Sequence, residues 1–261
     1  MTPELTGIRV EDRGPARWIL FDHPARKNAL HPPSMDALAR VVRESRDARV
    51  IVFKGLHGSF GSGADLRYAM EQGSALMGML DDYLGWFQNL ARAVMEAPQP
   101  TVAVVDGPAY GFSCDLALAC DLRVASTRAY FQEGFVRIGL IPDGGGTWTL
   151  PRLVGLSKAL ELTLLGEKLD AESAQRLGLV ARLVAPEEID AATDAVVKKL
   201  TEGPPLALGH IKRLVRAGLT RPFAEAFHDE GRAQSECLHS EDCMEGMMAF
   251  FQKRPPEFKG R

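Results

Sequence analysis

Short uninterrupted apolar runs alternate along the chain with stretches in which apolar positions recur every three or four residues. Val50-Ile51-Val52-Phe53 and Thr101-Val102-Ala103-Val104-Val105 are continuous apolar runs, the pattern of strands covered on both faces. Residues 121–125 and 179–184 are further strand candidates. Residues 7–10 and 17–21 flank Glu11-Asp12-Arg13-Gly14, a turn signal that predicts a hairpin. In 33–44, Met35, Leu38, Val41 and Val42 share one helical face. Helical patterns at 76–96, 113–120, 158–164 and 171–177 fall between the strand candidates, and such interleaving predicts an α/β layered core.

Past about Pro186 the strand signals stop. Residues 187–200, 206–217, 223–238 and 242–251 read as helices, broken by Pro204-Pro205 and Pro222. The expected division is an α/β core at 1–186 that carries the chemistry and a helical region at 187–261 that packs on it or on another subunit. No tandem repeat and no low-complexity linker interrupts this plan.

Composition narrows the function classes. The 261 residues are 46% hydrophobic and 25% charged, with a net charge of -3. That is an ordinary globular balance with no general attraction to nucleic acid. No apolar run reaches membrane-span length, and residues 1–14 lack the apolar core of a signal peptide. A cytoplasmic protein without a nucleic-acid or membrane partner is expected. Cys114, Cys120, Cys237 and Cys243 form no close zinc or redox pair and read as free thiols. The scattered histidines and the absence of H-E-x-x-H argue against a metal site. The absence of G-x-S-x-G weakens a serine hydrolase reading.

Three segments carry candidate chemistry. Gly58-Ser59-Phe60-Gly61-Ser62-Gly63-Ala64-Asp65-Leu66 follows the strand at 50–53. Its small residues leave backbone N–H groups open to a ligand oxygen, and Asp65 is placed to cap the next helix. Asp106-Gly107-Pro108-Ala109-Tyr110-Gly111-Phe112-Ser113-Cys114-Asp115-Leu116 follows the strand at 101–105 and opens a small-residue helix. Free N–H groups and a positive dipole end at such a helix start suit a developing oxyanion. Asp115 in the first turn also fits a purely structural role. In Ile138-Gly139-Leu140-Ile141-Pro142-Asp143-Gly144-Gly145-Gly146-Thr147-Trp148, one carboxylate sits on a proline-fixed bend before three glycines, where an acid can face a pocket. The competing reading of Asp143 is a common turn aspartate.

These segments in order, together with His23-Pro24-Ala25-Arg26-Lys27-Asn28-Ala29-Leu30 and Glu245-Gly246-Met247-Met248-Ala249-Phe250-Phe251-Gln252-Lys253-Arg254, resemble the enoyl-CoA hydratase/isomerase (crotonase) superfamily over almost the whole chain. The resemblance implies a spiral of ββα repeats, a helical C-terminal trimerisation region, and a homotrimer or dimer of trimers. It also implies acyl-CoA thioester substrates, as in fatty acid metabolism, with coenzyme A as part of the substrate and no separate cofactor. Residue by residue, it implies thioester-oxygen binding by the backbone N–H groups of Ala64 and Phe112, the latter standing where glycine is usual. It implies coenzyme A contacts from Arg26, Ser62, Ala64, Asp65 and Leu66, and from Phe250 and Lys253 toward a neighbouring subunit.

The acid positions bear on the reaction. Hydratases of the superfamily hold a water between two glutamates; here Asp115 takes the first place and Phe135 the second. Phenylalanine transfers no proton, and Glu133 lies two residues off the matching position, so the role is not moved to it. Asp143 and its surroundings resemble instead the phenylacetate-pathway isomerases. The expected reaction is a 1,3-proton shift in an enoyl-CoA, with Asp143 as working acid, Asp115 assisting or orienting, and Phe112, Phe135 and Ile141 desolvating Asp143. A hydratase using Asp115 and Asp143 is the second reading. A dienoyl-CoA isomerase, aromatic acyl-CoA dehalogenation and a non-catalytic acyl-CoA-binding scaffold are further alternatives. Residues 68–86, with Met70, Leu76, Met77, Met79, Leu80, Leu84 and Trp86, are expected to shape the acyl pocket where they are not core.

Overall fold

The computed structural model describes residues 5–261; the side chain of Leu76 and most of the segment before the first strand lie outside that description. The described residues form nine strands: β1 (Ile8–Arg13), β2 (Ala16–Phe21), β3 (Val50–Gly55), β4 (Thr101–Val105), β5 (Pro108–Tyr110), β6 (Leu122–Ser126), β7 (Tyr130–Gln132), β8 (Leu169–Asp170) and β9 (Arg182–Val184). The helices of the first part are α1 (Pro32–Glu44), α2 (Leu66–Gln72), α3 (Leu80–Glu96), α4 (Phe112–Ala119), α5 (Gly146–Val154), α6 (Leu156–Leu165) and α7 (Ala171–Arg176). Four more follow: α8 (Ile189–Thr201), α9 (Pro205–Gly218), α10 (Phe223–Leu238) and α11 (Glu241–Gln252). None is long and apolar enough to cross a membrane.

The main sheet has six strands in the order β1-β2-β3-β4-β6-β9. Only the β1–β2 pair is antiparallel. The continuous apolar runs are its central strands: Val50, Ile51, Val52 and Phe53, and Val102 to Val105, are wholly buried. Full burial of each such side chain contributes roughly 1.5–3 kcal/mol. One face packs Ile51, Phe53, Ala103 and Val105 against α1, α3 and α4. The other packs Val50, Val52, Val102, Val104 and Val124 against Ile189 and Val197 of α8. The first C-terminal helix therefore closes the sheet.

A second layer, β5-β7-β8, runs beside the first. Single bridges at Gly61↔Ala109 and Leu30↔Ala64 extend it toward the chain's early loops. The chain thus repeats a turn of long strand, short strand or bridge, and helix, the ββα spiral that the resemblance implies. Composition and period alone do not show β5, β7 and β8, which are two or three residues long. The first hairpin also differs from expectation. Glu11, Asp12 and Arg13 stay paired in β1, and the chain reverses at Gly14-Pro15, with Arg13 opposite Ala16. Gly14 has φ 58°, a value glycine adopts without penalty.

Residues 73–79 form a 3-10 turn before α3, which starts at Leu80. Met70 and Met77 are mostly exposed, while Trp86 packs against the core. The thiols of Cys114 and Cys120 are buried, and those of Cys237 and Cys243 are half-buried.

Candidate active site

The site is assembled by two glycine turns and one glycine-rich loop. Gly63 has φ +89° and Gly111 φ +54°, so each turns the backbone just before a proposed donor. The two turns nearly touch: a Cβ on Gly111 would stand 3.9 Å from Gly63 Cα. Ala64 is held by a bridge on one side only, through Leu30 N–H to Gly63 O at 2.8 Å and Asp65 N–H to Leu30 O at 2.9 Å. Its own N–H points the other way. Phe112 opens α4, and the first N–H of a helix has no intrahelical acceptor. Among the described residues neither amide is given to a protein acceptor. A Cβ on Gly63 would lie 3.5 Å from Phe112 N. The two amides border one small space.

A residue that sequence reasoning passed over locks this arrangement. Ser113 Oγ accepts a hydrogen bond from Gly63 N at 3.1 Å, tying the first turn to the start of α4. The only signal for it in the sequence was a hydroxyl next to the glycine turn.

Phe112 does not intrude on that space. Its ring is buried, 4.6 Å from the Phe87 ring between centroids. It packs directly on Gly144, where a Cβ would come within 2.6 Å of it. The residue that departs from the family's glycine thus fills room that a glycine at 144 leaves. Phe135 is also buried, with its Cζ 3.9 Å from a Cβ on Gly111, and so helps exclude water beside the Phe112 amide. Ile141 is 74% exposed. Contrary to expectation it does not cover Asp143 within one chain, because the Pro142 bend turns it outward.

Asp143 is half-buried, and its Oδ1 is among the buried oxygens without a hydrogen-bond partner. Burial pushes its carboxyl above the usual range. Asp115 is wholly buried. Its Oδ2 accepts from Gly144 N at 2.9 Å. Burial pushes Asp115 up to about 7, against the Gly144 N–H, and the Asp143 charge adds to the rise. Glu133 is buried beside it, 2% exposed. Tyr83 of α3 is the other group found by structure alone. Its ring is 5.3 Å from Phe87, and its hydroxyl is pushed up to about 12 by burial and then by Asp143 and Asp65. In sequence it was one aromatic on an apolar helical stripe.

These acids set a sign for stability. Native Asp115 keeps its proton up to about 7, whereas an unfolded aspartate loses it near 4. The folded state therefore binds more protons above about 4, and unfolding free energy is expected to fall as pH rises from there, the Asp115 share of the fall ending near 7 and the raised Glu133 carboxyl extending it. Denaturant midpoints across that range check this. Asp115→Asn should flatten the decline, and an unchanged slope would refute the origin.

The structure brings Arg26, Ser62, Ala64 and Asp65 together. Ser62 Oγ donates to Arg26 O at 3.1 Å, and Arg26 forms an ion pair with Asp65. Asp65 also caps α2 by accepting from Arg67 N at 3.1 Å. The Ser62 and Asp65 side chains thus stitch loops to one another, while the Arg26 guanidinium stays partly open. Leu66 is half exposed at the start of α2. Phe250 and Lys253 lie at the end of α11 and are not brought to this group within one chain. Phe250 instead lines a cavity of about 970 Å³ among α9, α10 and α11.

A family model described as enoyl-CoA hydratase/isomerase matches residues 16–261. A Rhodobacter capsulatus protein named "Probable enoyl-CoA hydratase" is 38% identical over 255 residues, covering 97% of this chain and 98% of that one. The "Short-chain-enoyl-CoA hydratase" of Clostridium acetobutylicum is 30% identical, covering 99% and 100%. The crystal structure of an enoyl-CoA hydratase from Bacillus anthracis superposes with a TM-score of 0.92 at 26% identity, covering 98% of this chain and 100% of that one.

Proposed function

This chain belongs to the enoyl-CoA hydratase/isomerase family, and from that membership we propose that it isomerises an enoyl-CoA thioester by a 1,3-proton shift. The observation that carries the reading is the unequal state of the two aspartates. Asp143 is half-buried with a donorless oxygen and a raised proton affinity. Asp115 is sealed from solvent and tied to Gly144. Phenylalanine occupies position 135, beside Gly111, where a hydratase of this family needs its second carboxylate.

In this mechanism the Ala64 and Phe112 N–H groups bind the thioester oxygen and stabilise the enolate that forms when a proton leaves. One such donor is worth about 3 kcal/mol in comparable sites. Asp143 takes the proton from one carbon and returns it two carbons away. Its raised affinity brings it closer to the range in which one group both accepts and releases a proton. The Phe135 ring, and the burial of Asp143 itself, keep competing water low.

Hydration of a 2-enoyl-CoA is the second reading. It is favoured by the names of the relatives and by the Asp143 charge that raises the neighbouring Asp115. The test is to offer the protein a 3-enoyl-CoA and a 2-enoyl-CoA. Conversion of the first to the second with negligible 3-hydroxyacyl product is expected. Rapid water addition to the 2-enoyl ester would overturn the isomerase reading in favour of hydration.

Assembly belongs to the same proposal. Ile211 and Val215 of α9, Leu219 just beyond it, Phe223 and Phe227 of α10, and Phe250 of α11 are exposed, and large apolar side chains gathered on one region in this way mark an interaction surface. We assign it to contacts in a homotrimer or dimer of trimers, with Phe250 and Lys253 reaching the coenzyme A of a neighbouring copy.

A further inference from the structure

We propose that Glu133 is a protonated positioning residue: its carboxylic O–H donates to Asp115 Oδ1, and Asp115 in turn holds the loop that presents Asp143. The role of that loop rests on the isomerase reading above; the proton on Glu133 does not.

Glu133 sits between β7 and the 3-10 turn Gly134–Ile138, 2% exposed. Among the described residues no cation reaches it, and its polar neighbours are the Cys114 thiol and the Asp115 carboxyl. Asp115 Oδ1 is turned toward the Gly146 backbone and Glu133 rather than toward a cation. Gly146 shows that these oxygens share one space. A Cβ there would overlap Asp115 Oδ1 and lie 3.2 Å from Glu133 Oε1, so the two carboxyls face each other where glycine leaves room.

Two buried carboxylates that face each other without a cation cannot both be ionised, because the amide and thiol donors around them offset only part of two buried charges. A single proton between them turns the facing acceptors into one donor and one acceptor. The surroundings decide which group keeps it. Asp115 receives the Gly144 N–H on Oδ2 and lies in the first turn of α4, both of which favour its anion. Glu133 is faced by Asp115 and the Cys114 thiol of α4, and by Asp143 from the glycine loop. None of these is a cation, so Glu133 is the proton holder. Burial and then the Asp115 charge push its carboxyl well up, in the same sense.

The consequence is a chain of orientation. Glu133 O–H fixes one oxygen of Asp115, the other oxygen fixes Gly144 N–H, and Gly144 is bonded to Asp143. Glu133 touches no reacting atom in this arrangement.

The test compares wild type with Glu133→Gln, which keeps an N–H donor, and Glu133→Leu, which has none. Infrared spectra at about pH 8, where free carboxyls are ionised, should show a protonated-carboxyl carbonyl band in wild type and lose it in Glu133→Gln. Turnover should stay within about threefold in the Gln variant. It should drop about 10- to 100-fold in the Leu variant with KM little changed, the scale of one lost charge-assisted hydrogen bond. A wild-type spectrum without the band, or a band that survives in Glu133→Gln, overturns the proposal, as does equal turnover in the two variants. Should the Leu variant not fold, the spectra of wild type and Glu133→Gln still decide. A lost band in a protein without isomerase activity would sink the role given to Asp143 and leave the proton on Glu133.

Discussion

Asp143→Asn is expected to lower kcat for isomerisation by about 10²- to 10⁴-fold, the usual contribution of one general acid–base group, with KM little changed. The amide keeps the size and one acceptor of the carboxylate but accepts no proton. The half-buried position tolerates it, because Asp143 makes no ion pair among the described residues. Asp115→Asn should cost less. Its carboxamide oxygen can still accept from Gly144 N–H, and its NH₂ can still meet Glu133. Steady-state kinetics of the two variants on one 3-enoyl-CoA check the ranking. Equal losses would remove Asp143 from its place as the working acid.

Gly63→Ala is expected to be nearly as damaging, through the backbone. At φ +89° a side chain is strained, by roughly 1–2 kcal/mol. The new Cβ would also come 3.0 Å from Tyr110 O and 3.5 Å from Phe112 N. It would stand in the space that both amides border and would push the Ala64 N–H off line. Loss of one oxyanion donor costs about 10²- to 10³-fold in kcat, and the Gly63–Ser113 hydrogen bond would weaken with it. The check is kcat together with binding of a saturated acyl-CoA. Near-normal turnover in a folded Gly63→Ala protein would show that these amides do not hold the oxyanion.

Much of the frame was legible because burial on both faces leaves a plain mark. The run at 50–53 has no polar position and that at 101–105 only Thr101 at its start, whose hydroxyl donates to Asp121, and both are central strands. Helices α8 to α11 were visible through their periodicity and the prolines that separate them. β5, β7 and β8 were not, since two or three residues carry no period and their pairing comes from the spiral. α5 was hidden behind Gly144-Gly145-Gly146, which reads as loop although Gly146 is its first residue.

Ala64, Phe112, Asp115 and Asp143 stand out in the sequence through glycine turns and motif order, and the fold places them around the same turns and glycine-rich loop. Glu133 lies two residues off the position of the family's second acid, and only the fold shows where its side chain goes. Ser113 owes its place to a contact across 50 residues of chain, with Gly63, and Tyr83 to the approach of Asp143 and Asp65, beyond any local pattern. Ile141 was misjudged because a bend next to proline does not say which way a side chain turns.

The ring of Phe112 lying on Gly144 has a consequence for how such a chain diverges. Any side chain at 144 collides with that ring and with Asp115 Cβ, while a smaller residue at 112 would leave a void beside Phe87. Changes at the two positions are therefore strongly non-additive. Bulk can arrive at 144 only after it has left 112, so the order of mutational steps is constrained and one route between the two solutions is closed.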